Sequence, residues 1–583
     1  MNAQADWMVA YTALRDEFGL TDDAIGAFAV QLRFNLDDLK ELAAESIVGG
    51  GDDKKCDVFY FDQENGIVVL AQCYMAQTQK TEAPANKASD LNTAVAWILN
   101  ADLTKIPEAL QDRAAELRKA LAEDEVRQLH VWYVHNLPTS KNVANELETV
   151  ATTAKVGIKQ HTTLDNVEVY VKEIGCDELL KLYVQAERAI IVTDEFSVVV
   201  PSVVETNGPN WSSLSTFVLG DWLAQQFDKF KTDLFSANIR GYLGSREVDA
   251  NINNGIKSTA RDEPENFSIY NNGITALVLD YEVVKVETGS EIRLKGLSIV
   301  NGAQTTGSLA NVGGKLGDKL LVPIRFVKSS SEDIVNKIVK YNNSQNKIEA
   351  ADFRSGDQIQ QRLREEFEIV PDADYEGGRR GGASDAIKRS KNTIPSYTIA
   401  QALAAFHGDP VTAYDRKSAL WTGDKSYAEI FNEKKTARHM VLVYSLLQNL
   451  NARRLGLIEC EKKDALTESD KKVLAFLNRK GATFLILFAL SQVIETIVGK
   501  PVPNKFDLRF KDNLSPADAA KRWDPLLDII LPLNEFFTEA FSSGRIQGEG
   551  VQSAMPKFTG VFDGLKTIHK GAFDGFASVI ATG

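Results

Sequence analysis

The stretch GGGDDKKCDVFYFDQENGIVVLAQCY, residues 49–74, decides how the first third of this chain is expected to fold. Its glycine turn leads into a predicted strand at Cys56–Phe61, and a tight turn then leads into a second predicted strand at Ile67–Tyr74. Upstream, apolar residues recur at helical spacing between Asp22 and about Ala44. Helices and strands continue to alternate to about residue 175, which predicts an α/β unit built around a small sheet.

The rest of the chain divides into two further regions. Short strands are predicted at Ala189–Val192 and Ser197–Pro201, Trp211–Thr232 is predicted to be mostly helical, and turn-rich, amide-rich sequence follows. From about residue 396 the pattern is mostly helical, and its predicted helices include Glu468–Leu477 and Ala482–Val498. The expected fold class is therefore α/β multidomain, with domains at residues 1–180, 181–395 and 396–583.

Length and composition bound the class of protein. The 583 residues suffice for three or four domains, and 44% hydrophobic with 25% charged residues is ordinary for a folded globular protein. The net charge of −14 excludes a polybasic coat for nucleic acid. Any contact with nucleic acid therefore has to be local.

Cysteine usage and hydropathy point to a cytoplasmic protein. Cys56, Cys73, Cys176 and Cys460 lie far apart without a CxxC pair, so neither a zinc site of the usual spacing nor a disulfide framework is expected. The chain starts without the features of a signal peptide. Its most apolar run, Phe484–Leu490, is far shorter than the ~20 residues that span a bilayer. We therefore expect no membrane partner.

Three oxygen-bearing side chains around residues 49–74 suggest a metal site. Glu45 lies near the end of the predicted helix, Asp57 on the first predicted strand and Gln72 on the second. Carboxylate and amide oxygens are hard ligands that suit Mg²⁺, which keeps several waters, and such a water can attack a phosphodiester. The sequence thus predicts Mg²⁺-assisted chemistry on DNA or RNA.

This arrangement resembles the restriction-endonuclease-like PD-(D/E)XK superfamily. Carried over position by position, Asp57 matches the invariant acid, Gln72 the second ligand and Glu45 the helix acid. The lysine position of that superfamily is occupied here by Tyr74. A phenol with a pKa of about 10 cannot replace an ammonium charge, so the resemblance leaves activity open.

Two lysines could replace the missing one. Lys55 and Asp57 would share a face about 7 Å apart if strand side chains alternate here, which makes Lys55 a candidate catalytic residue. Lys80 lies six residues beyond Tyr74 and could serve only if the chain turned back. Without a replacement, the region would be a degenerate nuclease fold that binds without cutting.

A second constellation is rich in asparagine and glutamine. Its segments are FSANIRGYLG (235–244), NFSIYNNGIT (266–275), LSIVNGAQTT (297–306) and IVKYNNSQNKI (338–348). The turn at 271–273 is predicted to close a hairpin, and element ends of this kind can converge on one cleft. Amides read base edges but supply no acid, base or nucleophile, so recognition is expected here. The alternative is a set of turn residues and a buried hydrogen-bond network. The candidate binding residues are Arg240, Asn271, Asn272, Asn301, Gln304, Asn343 and Gln345.

The best local basic patch is YEGGRRGGASDAIKRSKN, residues 375–392. Glycines beside Arg379 and Arg380 suit a flexible loop that contacts phosphate, and a solvated surface loop is the alternative. Arg240 could likewise hold a phosphate or a buried carboxylate. We count Arg379 and Arg380 among the candidate nucleic-acid contacts.

The order NIRGYLG, NNGIT, IVNGAQTT and NNSQNKI with DFRSGD resembles the AIPR family, the abortive-infection phage-resistance proteins of bacteria. Many members carry an N-terminal restriction-endonuclease-like domain with GGGDxxxxD and QCK, where this chain has GGGDDKKCD and QCY. The resemblance implies antiphage defence by an endonuclease, or by a degenerate fold that senses nucleic acid or a phage component, or that needs a partner protein. Restriction-like nucleases often pair subunits, so it also implies a homodimer.

Overall fold

A computed structural model gives the fold of the chain, and it confirms the α/β multidomain class. The structure describes residues 6–34, 36, 38–49, 52–78, 80–164, 166–187, 190, 192–235, 247–287, 289–312, 316–331, 334–335, 337–338, 354, 357–377 and 392–582. Three regions follow one another along the chain, and each is built around its own sheet or helical core.

The first region, residues 6–187, is a four-stranded sheet with helices on both faces, and we call it the head. Its strands are β1 (Val58–Asp62), β2 (Ile67–Tyr74), β3 (Gln128–His135) and β4 (Glu168–Ile174). They lie in this order, with β1 antiparallel to β2 and the other neighbours parallel. Its helices are α1 (Asp6–Phe18), α2 (Ala24–Phe34), α3 (Leu39–Ser46), α4 (Ala85–Asn100), α5 (Glu108–Ala122), α6 (Lys141–Ile158) and α7 (Cys176–Glu187).

Strand alternation divides the head core between the two faces of the sheet. On β2, Val69, Ala71 and Cys73 pack against α1, α2, α3 and α7, whereas Val68 and Leu70 pack against α4, α5 and α6. The parallel strands follow crossover helices, as the alternating sequence pattern predicts.

The second region is a seven-stranded sheet in the order β5-β10-β8-β11-β7-β6, with β9 paired to β10. Its strands are β5 (Val192–Val200), β6 (Val204–Gly208), β7 (Trp211–Leu219), β8 (Ile274–Leu277), β9 (Asp280–Val286), β10 (Gly289–Asn301) and β11 (Leu321–Ser329). Its helices are α8 (Gly220–Phe230), α9 (Glu247–Asp262), α10 (Phe267–Tyr270) and α11 (Ala303–Ala310), and α8, α9 and α11 contribute to the core on the sheet.

Two sequence predictions for this region are wrong. Trp211–Leu219 is strand β7, and the helix predicted over Trp211–Thr232 begins only at Gly220. The strand forms because β7 pairs with β11 on one side and β6 on the other. The turn at 271–273 joins α10 to β8 and does not close a hairpin, since Phe267–Tyr270 is helical.

The third region is helical. It contains α12 (Gln358–Phe367), α13 (Ser396–Phe406), α14 (Pro410–Asp415), α15 (Ala419–Thr422), α16 (Asp424–Ile430), α17 (Ala437–Lys462), α18 (Glu468–Leu477), α19 (Ala482–Val498), α20 (Pro516–Lys521), α21 (Asp524–Ile530), α22 (Gly548–Gly564) and α23 (Lys570–Val579). Short strand pairs join Asp374–Tyr375 to Thr393–Ile394, Arg509–Phe510 to Ile580–Ala581, and Phe541–Ser542 to Arg545–Ile546. Leu363, Tyr375 and Ile394 already belong to the helical core, which therefore begins upstream of residue 396.

The long helix α17 connects the helical region to the head. Met440, Leu447 and Leu450 in its first half pack in the helical core, whereas Leu455 and Ile458 in its second half pack in the head core. The helix α17 thus runs through both regions, and each of its halves contributes apolar side chains to one of the two cores. In the described part of the chain, no helix combines the length and apolarity that crossing a membrane requires.

Candidate functional site

Asp57 and Gln72, the two residues predicted as metal ligands on neighbouring strands, lie in the β1–β2 hairpin of the head. Asp57 directly precedes β1, and its backbone N–H donates to the carbonyl oxygen of Ala71 on β2 at 2.9 Å. The backbone N–H of Cys73 donates to the Asp57 carboxylate at 2.6 Å, which holds this side chain against β2. Gln72 lies two residues after Leu70 on β2, so its side chain is on the face of α4, α5 and α6. The predicted hairpin is therefore present, but no hydrogen bond among the described residues joins the side chains of Asp57 and Gln72.

A second carboxylate, Asp23, reaches the same place from the turn before α2. A Cβ atom on Gly26 would lie only 2.6 Å from Sγ of Cys73, so glycine allows α2 to pack this closely against β2. Burial, and then the neighbouring charge of Asp23, raise the pKa of Asp57 to about 8. Asp23 has no motif around it that would have marked it in the sequence.

Lys462 completes this group from the helical region. It is the last residue of α17, and its ammonium forms an ion pair with the carboxylate of Asp23. Burial disfavours the charge of Lys462, but Asp23 and then Asp57 outweigh burial and raise the pKa of the lysine. We call Asp23, Asp57 and Lys462 the head site.

Glu45, the third predicted metal ligand, lies elsewhere. Ile47 forms a bridge with Val58, so the chain before Ile47 runs along β1 away from Asp57. The Glu45 carboxylate accepts from Nζ of Lys480 at 3.0 Å. Burial disfavours its charge, but Lys480 outweighs burial and lowers the pKa of Glu45. Among the described residues, no hydrogen bond or ion pair joins Glu45 to the head site.

The prediction that Lys55 and Asp57 share one face of a strand is wrong. Lys55 lies in a turn with φ +70°, because β1 begins at Val58 and not at Cys56. Its backbone N–H donates to Oδ1 of Asp53 at 2.8 Å, and its side chain is exposed. Strand alternation therefore does not place Lys55 on the face of Asp57.

The position of Tyr74 is surrounded by lysine. The chain does turn back after β2, and Nζ of Lys80 donates to the Tyr74 hydroxyl at 2.9 Å. Nζ of Lys80 and of Lys87 lie 5.6 and 5.4 Å from the centroid of the Tyr74 ring. Positive charge is thus present around Tyr74 although the strand itself carries a phenol.

The fit to Mg²⁺ is partial. Oε1 of Gln72 is buried and has no hydrogen-bond partner in the part of the chain that is described, so it could accept a ligand bond. With a pKa of about 8, Asp57 is mostly protonated at neutral pH, so a cation at its carboxyl group would have to displace that proton. Asp57 and Gln72 offer oxygen atoms of the kind that Mg²⁺ prefers, but they lie on different faces of β2, and Glu45 is bound to Lys480. No group of three or more His, Cys, Asp or Glu side chains among the described residues is arranged to hold a metal ion.

Two of the amide motifs meet at one edge of the central sheet. Asn301, the last residue of β10, pairs with Thr275 of β8. Gly302 has φ +95°, and a Cβ there would lie 2.6 Å from Cγ1 of Ile274. The helix α11 begins directly after Gly302, so Gln304 lies in its first turn. Residues 271–275 and 301–304 therefore lie side by side.

The side chains at this edge differ in their hydrogen bonds and in their exposure. Nδ2 of Asn271 donates to the carbonyl oxygen of Phe267 at 3.1 Å and so closes α10, while Asn272 is exposed. Arg325 of β11, which sequence reasoning did not single out, donates to Oγ1 of Thr275 at 3.1 Å. The edge thus combines amides with one guanidinium. Its role in binding stays a prediction.

Five predicted binding residues lie outside the residues that the structure describes. They are Arg240, Asn343, Gln345, Arg379 and Arg380.

The family model described as AIPR protein matches residues 235–498. This match supports the AIPR assignment made from the sequence motifs, and it covers both amide motifs at the sheet edge and all of α17. It does not extend to the head, whose likeness to restriction endonucleases stays a prediction. No curated protein and no solved structure matches the chain.

Proposed function

From the AIPR match over residues 235–498, we propose that this chain acts in abortive-infection defence against phage. The head is the effector in this proposal, and the amide edge of the central sheet recognises nucleic acid or a phage component. Because α17 carries Lys462 into the head site, the matched region also reaches the effector.

We propose that the head site hydrolyses phosphodiester bonds in DNA or RNA. The observation that carries this proposal is the convergence of Asp23, Asp57 and Lys462 beside β2 of the head sheet. Lys462 takes the role that Lys55 was expected to have, because its ammonium can approach a phosphate oxygen and stabilise the charge of the transition state. A water attacks phosphorus, and the bond from phosphorus to the leaving sugar oxygen breaks.

Asp57 would hold Mg²⁺ together with water molecules, and the ion would activate water and offset charge on the phosphate. Gln72, the second ligand expected from the sequence, lies on the other face of β2. Asp23 positions Lys462 through their ion pair. Glu45 has no part in this arrangement.

A second candidate function is binding without cleavage. It is favoured by Tyr74, whose hydroxyl accepts from Lys80 in place of a strand lysine facing the substrate. In that case the lysines near Tyr74 contact phosphate, and defence depends on association with a further protein. Nucleic-acid binding without turnover distinguishes this candidate from the first.

The cleavage test uses the full-length protein. Supercoiled plasmid, single-stranded DNA and single-stranded RNA are incubated with it in Mg²⁺ or Mn²⁺ and separated on gels. We expect Asp57→Asn and Lys462→Met each to reduce the cleavage rate by roughly 100-fold or more. Lys463→Met is the matched control, since this neighbour forms only an exposed ion pair with Glu459.

Each outcome is decisive for one of the two candidates. Cleavage that is unchanged in Asp57→Asn contradicts the head site. Binding of oligonucleotides in a mobility-shift assay, with no cleavage of any polymer in either metal, supports the second candidate and contradicts the first.

The defence role is tested in cells. Bacteria that express the chain are challenged with a panel of phages, and both phage yield and survival of the culture are measured. Abortive infection predicts fewer progeny phage together with death of the infected cells. Asn272→Ala and Gln304→Ala change the amide edge and are expected to weaken protection, whereas equal protection by both variants contradicts recognition by this edge.

A further inference from the structure

Three nitrogen-bearing side chains converge in the helical region, outside the head site. His407 directly follows α13, and its Nε2 lies 2.9 Å from Nε2 of His439 in α17. Nζ of Lys435 lies 3.2 Å from the same nitrogen of His407. His439 and Lys435 are fully buried, and His407 is half-buried. Two groups at the start of α17 and one at the end of α13 thus point at one place.

The tautomer of His439 follows from its second nitrogen. Nδ1 lies 2.8 Å from the carbonyl oxygen of Leu508, which can only accept, so Nδ1 carries the hydrogen. Nε2 of His439 therefore holds a lone pair directed at His407. A hydrogen bond from one imidazole nitrogen to a backbone carbonyl is also how proteins orient imidazoles that bind metal through the other nitrogen.

Lys435 lacks a carboxylate partner among the described residues. Its Nζ lies 4.1 Å from the ring centroid of Phe506, and this same ring stacks on the imidazole of His407. Burial lowers the pKa of Lys435 far below its usual value, and burial followed by the neighbouring lysine lowers the pKa values of His407 and His439 as well. Both imidazoles are therefore uncharged near pH 7, and burial disfavours the proton on Lys435, which a bound cation would replace.

Hydrogen bonds among His407, His439 and Lys435 cannot satisfy all three groups at once. If Nε2 of His407 donates to His439, it cannot also accept from Lys435, and the amine stays without a partner. If it accepts from Lys435, two imidazole lone pairs face each other at 2.9 Å. An anion is disfavoured because it needs donors where His439 presents a lone pair. A cation accepts all three lone pairs.

We propose that His407, His439 and Lys435 bind a divalent transition-metal ion that prefers nitrogen ligands, of the Cu²⁺, Ni²⁺ or Zn²⁺ class. Metal–nitrogen bonds of about 2.0–2.1 Å to two nitrogens 2.9 Å apart give an angle of about 90° at the ion. The half-buried side of His407 leaves room for a water or an exogenous ligand. The site contains two imidazoles and one amine, so it is separate from the oxygen ligands of the head.

The test is metal binding by the full-length protein after treatment with a chelator. Titration calorimetry with Zn²⁺, Ni²⁺ and Cu²⁺ is expected to show one ion per chain. His407→Gln/His439→Gln is expected to weaken binding at least roughly 100-fold, and Lys435→Met roughly 10-fold. His161→Gln is the matched control, because His161 bonds to the Leu99 carbonyl away from this cluster, and it should bind as the unmodified chain does.

Electron paramagnetic resonance of the Cu²⁺-loaded unmodified chain decides the question even if a variant does not fold. Hyperfine splitting from two or three nitrogens supports the proposal, whereas an oxygen-ligand spectrum overturns it. The proposal also fails if no ion binds, if the double variant binds as well as the control, or if inorganic phosphate binds at this cluster instead.

Discussion

Glu116 is a buried carboxyl group whose charge opposes folding at neutral pH. It is 2% exposed, its Oε1 accepts from the Tyr414 hydroxyl at 2.8 Å, and its Oε2 has no partner in the described part of the chain. Burial raises its pKa from 4.5 to about 7. Between these values the folded chain keeps a proton that the unfolded chain has lost, so stability falls as pH rises from about 4.5 to 7.

Glu116→Gln imitates the protonated form and should remove this pH dependence. The shift corresponds to at most about 3 kcal/mol, so above pH 8 the variant should exceed the unmodified chain in free energy of unfolding by about 1–3 kcal/mol. Near pH 4.5 the two should be similar. Urea unfolding from pH 4.5 to 9 measures the difference. Glu123→Gln, on the exposed end of the same helix, should follow the unmodified chain, and parallel profiles for all three proteins would refute the buried-charge argument.

Two glycines should respond to alanine with opposite signs. Gly302 needs φ +95° and has Ile274 2.6 Å from the site of a new Cβ, so Gly302→Ala should lower the free energy of unfolding by about 2–4 kcal/mol. Gly255 lies inside α9 with open space around it, so Gly255→Ala should raise it by up to about 1 kcal/mol. Chemical denaturation of both variants measures the contrast, and a neutral Gly302→Ala would contradict the close contact between residues 273–274 and 302.

At the scale of elements, α17 attaches the helical region to the head through a buried arginine. The Arg454 guanidinium donates to the carbonyl oxygens of Ala44 and Ile47 at the end of α3, the latter at 2.8 Å. Arg454→Met leaves both acceptors buried without this donor and should cost about 2–4 kcal/mol of stability. Arg453→Met removes ion pairs to the more exposed Asp524 and Asp528 and should cost at most about 1 kcal/mol. If both variants lose the same amount of stability in thermal or urea unfolding, the larger contribution expected of the buried Arg454 contact is contradicted.

Local sequence was sufficient for elements whose ends carry their own signals. The helices predicted at Glu468–Leu477 and Ala482–Val498 have these bounds in the structure. Thr467 and Asp470 form a capping box at the start of the first, and Gly499 with φ +70° ends the second. Trp211–Leu219 was misjudged because its strand depends on Leu321–Ser329, a partner far along the chain that periodicity does not reveal.

Separation along the chain also explains which residues of the head could be predicted from the sequence. The hairpin that carries Asp57 and Gln72 is local and was predicted, but Asp57 and Val58 both stand opposite Ala71, so strand alternation does not bring Asp57 onto the face of Gln72. Lys55 was assigned to a strand face because the start of the strand was placed two residues early. Lys462 reaches the site from another region, and such a contact becomes visible only once the regions pack.

At the scale of the whole molecule, the helical region supplies apolar and positively charged side chains to the head. Leu455, Ile458 and Leu474 lie in the head core. Lys480 pairs with Glu45, Arg479 with Asp112, and Lys462 with Asp23. The acidic character of the chain is therefore compatible with a charged effector site, because the cations that balance the head carboxylates come from a distant segment.

The head alone is therefore expected to be unstable although it contains a complete sheet. A fragment of residues 1–187 loses the apolar contacts of α17 and α18 and leaves the charge of Glu45 without Lys480. We expect it to aggregate or to unfold without cooperativity in circular dichroism, and to be recovered as a soluble complex when residues 357–583 are expressed beside it. The same complex carrying Arg454→Met should form less well. If the isolated head instead unfolds cooperatively at the temperature of the full chain, the helical region is a separate domain, and its supply of Lys462 to the head site depends on docking and not on a shared core.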